Sequence, residues 1–381
     1  MLIFLTAFLV SAGVTLLLVH SAHLHGRHSA DHDFDKPQGI HAVAVPRIGG
    51  LAVVLGISAA SVFLWLVGGP EDGRFAFTLL ACSSVAFVAG FVQDLTEALT
   101  PRGRLLATAL SAVIAYYWMG AAVHNTDIPG IDWIVSFGFG SLAVTVLAVA
   151  GIANAINIID GLNGLASMCV ALMLAALAYV AFQVSDLLIC WLAVGGIGAV
   201  LGLFLWNFPR GLIFLGDGGA YFLGFFVSEL SILLLVRNPN EVSPFFPLLA
   251  CIYPIFETLF SIYRRWFLRS VPPSVPDGIH LHSLIYRRVM RWAVGGQSAR
   301  ELTRRNSMSS PYLWLLCMFS IIPAVAFWDN TPMLAVFLAL FVASYLVLYW
   351  RIVRFRSPRW MFYRRPPGHS ESVRQTPLDR H

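Results

Sequence analysis

The sequence predicts an all-α, polytopic integral membrane protein, and three observations carry that prediction. Of its 381 residues, 58% are hydrophobic and only 12% charged, with a mean hydropathy of +0.74. That is more apolar surface than a soluble core can bury. The apolar residues fall in runs near the roughly 20 residues that cross a bilayer as a helix, and about eleven such runs can be counted. They lie at approximately 1–20, 48–68, 75–95, 104–122, 133–153, 162–183, 187–206, 219–236, 245–263, 311–328 and 332–350. Finally, 23 of the 25 Lys and Arg residues fall on one alternating set of loops and the C-terminal tail, leaving only Arg74 and Arg237 opposite. Basic loops stay in the cytoplasm, so the N-terminus is expected outside and the C-terminus inside, which an odd number of spans satisfies.

Composition also narrows the function. The net charge of +5 is mostly this orientation signal. Residues 1–350 read as one transmembrane domain and 351–381 as a basic, disordered cytoplasmic tail that can touch anionic lipid headgroups. No recognition fold accompanies the tail, so no nucleic-acid partner is expected. Cys82, Cys169, Cys190, Cys251 and Cys317 all lie in apolar runs without spaced pairs, which indicates neither a disulfide framework nor a zinc site. Met1 to Val19 lacks a basic leader and reads as a retained first helix. No internal repeat stands out.

Taken in order, the loop after the first span is rich in histidine (His20, His23, His25, His28, His32, His41) but without the spacing of a metal site, and reads as a solvated loop. Val45-Pro46-Arg47-Ile48-Gly49-Gly50 enters the second span. Its paired glycines permit close backbone approach, and Arg47 is suited either to reading phosphate or to anchoring the span. Gln93-Asp94 ends the third span. Asp94 is a metal-ligand or general-base candidate, and Glu97, three residues on, could share its helix face.

Asn154 to Gly164 follows the fifth span. If that helix continues, Asn154, Asn157 and Asp160 lie on one face, and Gly161 and Gly164 allow a tight turn. The alternative is an ordinary polar turn. Phe214-Leu215-Gly216-Asp217-Gly218-Gly219 opens the eighth span. Glycines around an aspartate at a helix start leave backbone N–H groups pointing at an anion, with Asp217 serving it through Mg²⁺. In Asp277-Gly278-Ile279-His280-Leu281-His282, the two histidines face the same way only in extended backbone and could hydrogen-bond a phosphate as cations. Leu284 to Trp292 is basic and amphipathic and is expected on the membrane surface.

All these clusters fall on the cytoplasmic side, whereas a transporter keeps its polar groups near the midplane on broken helices. The expectation is one composite site at the cytosolic interface.

These motifs, in this order, resemble the polyprenyl-phosphate N-acetylhexosamine-1-phosphate transferases, over about Pro37 to His282. Pro46-Arg47-Ile48-Gly49-Gly50, Asn154-x-x-Asn157-x-x-Asp160-Gly161-x-x-Gly164-Leu165, Phe214-x-Gly216-Asp217-x-Gly219 and His280-x-His282 carry the likeness. Within the family, the first and last motifs look like the bacterial GlcNAc-1-phosphate branch. The resemblance implies a multi-pass enzyme of the bacterial inner membrane with a cytosolic site. It would move a sugar-1-phosphate from a UDP-sugar to undecaprenyl phosphate, release UMP and start a lipid-linked cell-surface polysaccharide. By resemblance Asp94, Asp160, Asp217, His280 and His282 are catalytic. Asn154, Asn157, Gly161, Asn163, Arg47, His41, Gly216 and Gly219 bind substrate. Asp217 and Asp94 hold Mg²⁺, with Mn²⁺ as an alternative, and a homodimer is allowed. Two departures stand out. The family's paired aspartates are here Gln93 and Asp94, and its basic stretch between Pro37 and His41 is shortened. A catalytically altered or inactive homologue, or a transporter of lipid-linked sugars, is therefore the competing reading.

Overall fold

The structure is a computed structural model and describes residues 1–22, 45–269, 279–293 and 298–354. The described chain is helical. In order it forms α1 (Leu2–His20), α2 (Gly49–Val67), α3 (Pro70–Thr96), α4 (Pro101–Met119), α5 (Pro129–Val135), α6 (Gly138–Ile159), α7 (Leu165–Gln183), α8 (Leu187–Asn207), α9 (Gly216–Arg237), α10 (Phe245–Ala250) and α11 (Ile252–Tyr263). A π-helical turn, Arg264–Arg269, follows. Beyond it come α12 (Leu281–Leu284), a second π turn (Ile285–Val289), α13 (Met290–Ala293), α14 (Ala299–Ala326) and α15 (Thr331–Val353).

Among the described residues, nine helices are long and apolar enough to cross a membrane: α1, α2, α3, α6, α7, α8, α9, α14 and α15. Two expected spans stand outside that set. The run at 104–122 forms α4, which carries Arg102 and Arg104 in its first turn. The run at 245–263 is interrupted at Cys251 and splits into α10 and α11. All five cysteines are free thiols.

Local chemistry sets where the helices start. Pro70 and Pro101 occupy first-turn positions, where their missing N–H costs nothing. Thr100 caps α4 by accepting from Gly103 N–H at 3.2 Å. Ser298 and Glu301 form a reciprocal capping box on α14.

The packing is centred on α9. Of its apolar stretch, 89% is buried, against 22% for α1 and α15, whose outer faces are left for lipid. Helix α9 is wrapped by α2, α3, α6 and α7. Its start is seated by glycine. A Cβ on Gly90 of α3 would come within 2.6 Å of Gly218 Cα, and one on Gly219 within 2.7 Å of Gly50 Cα. With no hydrophobic drive between helices in lipid, such close backbone approach is what membrane helices use to pack.

Several expectations are corrected. Helix α6 runs to Ile159 rather than ending near residue 153, so Asn154 and Asn157 lie inside it. Helix α3 ends at Thr96, and Glu97 is its exposed C-cap in left-handed backbone (φ 52°) rather than a residue within the helix. The stretch from Leu284 is packed into the protein rather than lying on a membrane surface. Leu284, Ile285, Tyr286, Val289 and Met290 are all buried. Helix α15 carries the chain to Val353, past the expected tail boundary. The first-loop histidines from His23 to His41, with Lys36, Asp277, and the tail beyond Arg354, lie outside the described residues.

Candidate active site

Two of the sequence motifs are one structural unit. Phe214 N–H donates to Pro46 C=O at 2.8 Å, Gly49 N–H to Phe214 C=O at 2.9 Å and Gly50 N–H to Leu215 C=O at 2.8 Å. The Pro46–Gly50 segment is thus laced to the turn that opens α9. Gly216 is the pivot of this turn, at φ +76°. A Cβ there would run into Arg47 C=O and reach 2.7 Å from Asp94 Oδ2, so only glycine fits.

Three carboxylates gather at this turn. Asp94 reaches across from α3 and accepts from Asp217 N–H through Oδ1 and from Gly218 N–H through Oδ2, both at 2.8 Å. The anion expected at the helix start is therefore the chain's own Asp94, which caps α9 from another helix. Asp217 Oδ1 accepts from Asn157 Nδ2 at 2.6 Å, and its Oδ2 pairs with the Arg104 guanidinium. Asp160, the C-cap of α6, is close enough for its carboxylate to interact with Gly216 N–H and Arg47. Burial pushes the Asp160 carboxyl up to about 7, with Arg47 and the Gly216 N–H pulling the other way. Burial lowers the Arg47 guanidinium, while Asp94, Glu97 and Asp160 hold its charge in place.

The asparagines of α6 serve the same turn. Asn157 holds Asp217, while Asn154 accepts from Tyr221 O–H at 3.3 Å. The Arg104 guanidinium lies 5.7 Å from the Tyr221 ring centroid. The histidines arrive from the far side. His280 is extended at ψ 151°, His282 is already in α12, and their rings stack at 5.3 Å. A Cβ on Gly161 would lie 2.9 Å from His282 Nε2, which puts that ring over the Asp160–Gly161 turn.

The structure thus brings together Arg47, Asp94, Asn154, Asn157, Asp160, Gly161, Gly216, Asp217, Gly219, His280 and His282. Asn163 stands apart. It is buried, donates from N–H to Asn306 Oδ1 at 2.7 Å and from Nδ2 to Pro209 C=O and Ser307 Oγ, and its carbonyl accepts from Ser310 O–H at 2.6 Å. It ties the turn to α14. His41 lies outside the described residues. Gln93 folds back to accept from Leu99 N–H at 2.8 Å and shapes the turn between α3 and α4.

Sequence reasoning does not single out Arg104, Tyr221, Glu257 or Tyr345 as site residues. Arg104 counts there only toward orientation. A cation one turn inside an apolar helix, and Glu257 inside an apolar run, are the signals that could have found them.

Three carboxyl groups and two guanidiniums share this cluster. The Asp94 and Asp217 oxygens each spend one lone pair on the contacts above and keep another. Among the described residues no three His, Cys, Asp or Glu side chains form a metal cage. This donor set fits a cation such as Mg²⁺, which takes one or two carboxylates and completes its shell with water and phosphate oxygens.

Carboxylates and arginines thus converge at one end of the most buried helix of a polytopic membrane protein. A sequence profile described as glycosyl transferase family 4 matches residues 76–235. A probable undecaprenyl-phosphate N-acetylglucosaminyl 1-phosphate transferase of Bacillus subtilis is 28% identical over 84% of this chain and 83% of its own. A phospho-N-acetylmuramoyl-pentapeptide-transferase of Lactococcus lactis is 30% identical over 58% and 68%. An undecaprenyl-phosphate alpha-N-acetylglucosaminyl 1-phosphate transferase of Thermotoga maritima is 28% identical over 66% and 72%. The chain belongs to glycosyl transferase family 4, the polyprenyl-phosphate N-acetylhexosamine-1-phosphate transferases, on its N-acetylglucosaminyl 1-phosphate transferase branch, and is an enzyme.

Proposed function

We propose that the protein transfers N-acetylglucosamine-1-phosphate, or a closely related N-acetylhexosamine-1-phosphate, from its UDP-sugar to undecaprenyl phosphate at the cytoplasmic face of the bacterial inner membrane. The product is the first lipid-linked intermediate of a cell-surface polysaccharide. The observation that carries this reading is the gathering of Asp94, Asp160 and Asp217 with Arg47 and Arg104 around the start of α9. Counting α4 and the α10–α11 pair as spans beside the nine apolar helices would make eleven, an odd number, which agrees with the external N-terminus and cytoplasmic C-terminus expected from the basic-loop bias.

An oxygen of the lipid phosphate attacks the β-phosphorus of the UDP-sugar. A new P–O–P bond forms, the bond from the β-phosphorus to the bridging oxygen breaks, and that oxygen leaves on UMP. Such a reaction needs alignment and charge neutralisation more than covalent catalysis. Mg²⁺ held by Asp217 and Asp94 would polarise the phosphoryl oxygens and neutralise the charge on the leaving UMP. Arg104 and Arg47 supply fixed positive charge beside the diphosphate. Asn154, Asn157 and Asp160 hold the nucleotide end, and His280 and His282 contact phosphate or sugar. Asp94 caps α9 and so fixes where Asp217 stands. A lipid phosphate monoester has a second pKa of about 6, so most of the acceptor is already deprotonated near neutral pH and needs little base catalysis. Gln93 in place of a second carboxylate is compatible with that demand.

The test is UMP release by purified protein with undecaprenyl phosphate, Mg²⁺ and a panel of UDP-sugars. Release with UDP-N-acetylhexosamines above all others is the expected result. Silence with every donor rejects the reading in favour of an inactive homologue.

A further inference from the structure

Behind the stacked histidines lies a buried carboxylate that the proposed reaction does not use. Glu257, on α11, is 1% exposed. Its Oε1 accepts from Leu281 N–H at 2.9 Å and lies 3.0 Å from His280 Nδ1. Its Oε2 accepts from Tyr345 O–H, on α15, at 2.7 Å. Leu281 N–H and Tyr345 O–H are both directed as donors at this group, which is the environment of a carboxylate acting as acceptor only. His280 must then carry its proton on Nδ1, and any second proton goes to Nε2. A carboxylate on one ring nitrogen fixes the tautomer and stabilises the imidazolium. The rings of His280 and His282 lie 5.3 Å apart and within 5° of parallel.

We propose that Glu257 is a positioning residue for this reaction. Pinned by Tyr345 and the Leu281 N–H, it holds the His280 ring as the Nδ1–H form, which leaves Nε2 as the ring nitrogen to meet the substrate. The inference rests on the functional reading above only in naming the substrate as what Nε2 meets.

The neighbours agree with this assignment. Against His280 stand Glu257 from α11 and His282 from its own segment; Tyr253 of α11 and Tyr345 of α15 face Glu257, Tyr349 of α15 meets Arg264, and Gly161, next to Asp160, lies against His282. A fixed cation close by is Arg264, whose guanidinium donates to Ile279 C=O at 2.9 Å and to the Tyr349 hydroxyl oxygen at 2.7 Å. It braces the chain just before His280. Glu257 is the acid in direct contact with the ring.

The experiment follows the ¹⁵N-labelled histidines of the whole protein in detergent across pH, with His280 assigned by the signal lost in His280→Gln. In the parent protein the proton is expected on Nδ1 of His280 in the neutral ring. A neutral ring protonated on Nε2 overturns the proposal without any variant at Glu257. In Glu257→Leu, which removes the acceptor, the neutral His280 ring is expected to lose its preference for the Nδ1–H form, and kcat for UMP release to fall by about tenfold or more with KM little changed. In Tyr345→Phe, which removes a contact to the same carboxylate and leaves it facing Nδ1, the Nδ1–H form should persist. Equal loss of the Nδ1–H form in the two variants, or none in Glu257→Leu, assigns Glu257 to packing alone and overturns the proposal. If the parent releases no UMP from any UDP-sugar, the functional reading fails, and the ¹⁵N tautomer assignment still decides the role of Glu257.

Discussion

Replacing Asp94 by asparagine separates two roles that a carboxylate at this site can have. As a free base or metal ligand alone, Asp94 would be a half-buried charge, and neutralising it would leave the fold unchanged or more stable. The structure instead spends both oxygens on the N–H groups of Asp217 and Gly218. Asparagine keeps one acceptor and turns an NH₂ toward the second N–H, so one donor at the start of α9 loses its partner. A hydrogen bond to a charged group contributes about 1.5–3 kcal/mol, and an anion at a helix N-terminus contributes about 0.3–1 kcal/mol more. The expected cost of Asp94→Asn is therefore about 2–4 kcal/mol of stability, besides loss of activity. Thermal unfolding of the detergent-solubilised, metal-free protein reads it directly. A variant that unfolds at or above the parent temperature, yet is inactive, would refute the capping role and return Asp94 to simple catalysis.

Other outcomes follow from the same geometry. Asp217→Asn should lower the rate by at least about 10²-fold, because one charge-stabilising contact is lost, and near-normal Mg²⁺-dependent turnover would reject its assignment. Gln93→Ala should keep substantial activity and cost about 1 kcal/mol, the worth of its bond to Leu99 N–H. A dead but folded Gln93→Ala would show that Gln93 acts in the site. Gly90→Ala places a Cβ 2.6 Å from the Gly218 backbone, where neither side can yield, so folded yield should fall sharply; normal yield with normal activity would show that α9 can shift. Asp160 has a folded value of about 7 against an ordinary 3.8. The metal-free fold therefore binds a proton that the unfolded chain releases, and this contribution is full below about pH 4 and lost as pH rises through about 7. Unfolding temperatures at pH 5 and pH 8 should differ less in Asp160→Asn than in the parent, and an unchanged difference would remove Asp160 as the source.

Much of the site is legible in the sequence because its chemistry is local. An Asp among glycines at the start of an apolar run marks a helix start, and Asn154 and Asn157, one turn apart, mark a helix face. What the sequence does not carry is contact between distant segments. Asp94 is visible as a carboxylate at a span end, but nothing in the sequence says that both its oxygens are taken by the N–H groups of residues 217 and 218. Asn163 sits in the middle of a polar motif and yet faces α14, because the side a loop residue presents is set by what packs on it. Arg104 is hidden by a rule that counts basic residues by loop and not by depth. The basic stretch after Leu284 looks amphipathic to any period-based reading, and only the tertiary structure shows that its apolar face is covered by protein.

The most direct test of the central claim follows the β-phosphorus. Purified protein in detergent is given undecaprenyl phosphate, Mg²⁺ and UDP-N-acetylglucosamine labelled with ³²P at the β position, and the lipid and nucleotide fractions are separated. The account predicts that the label moves into the lipid fraction in step with unlabelled UMP appearing in the aqueous one. Label retained on the nucleotide while sugar enters the lipid would mean glycosyl transfer without phosphate, and would contradict it.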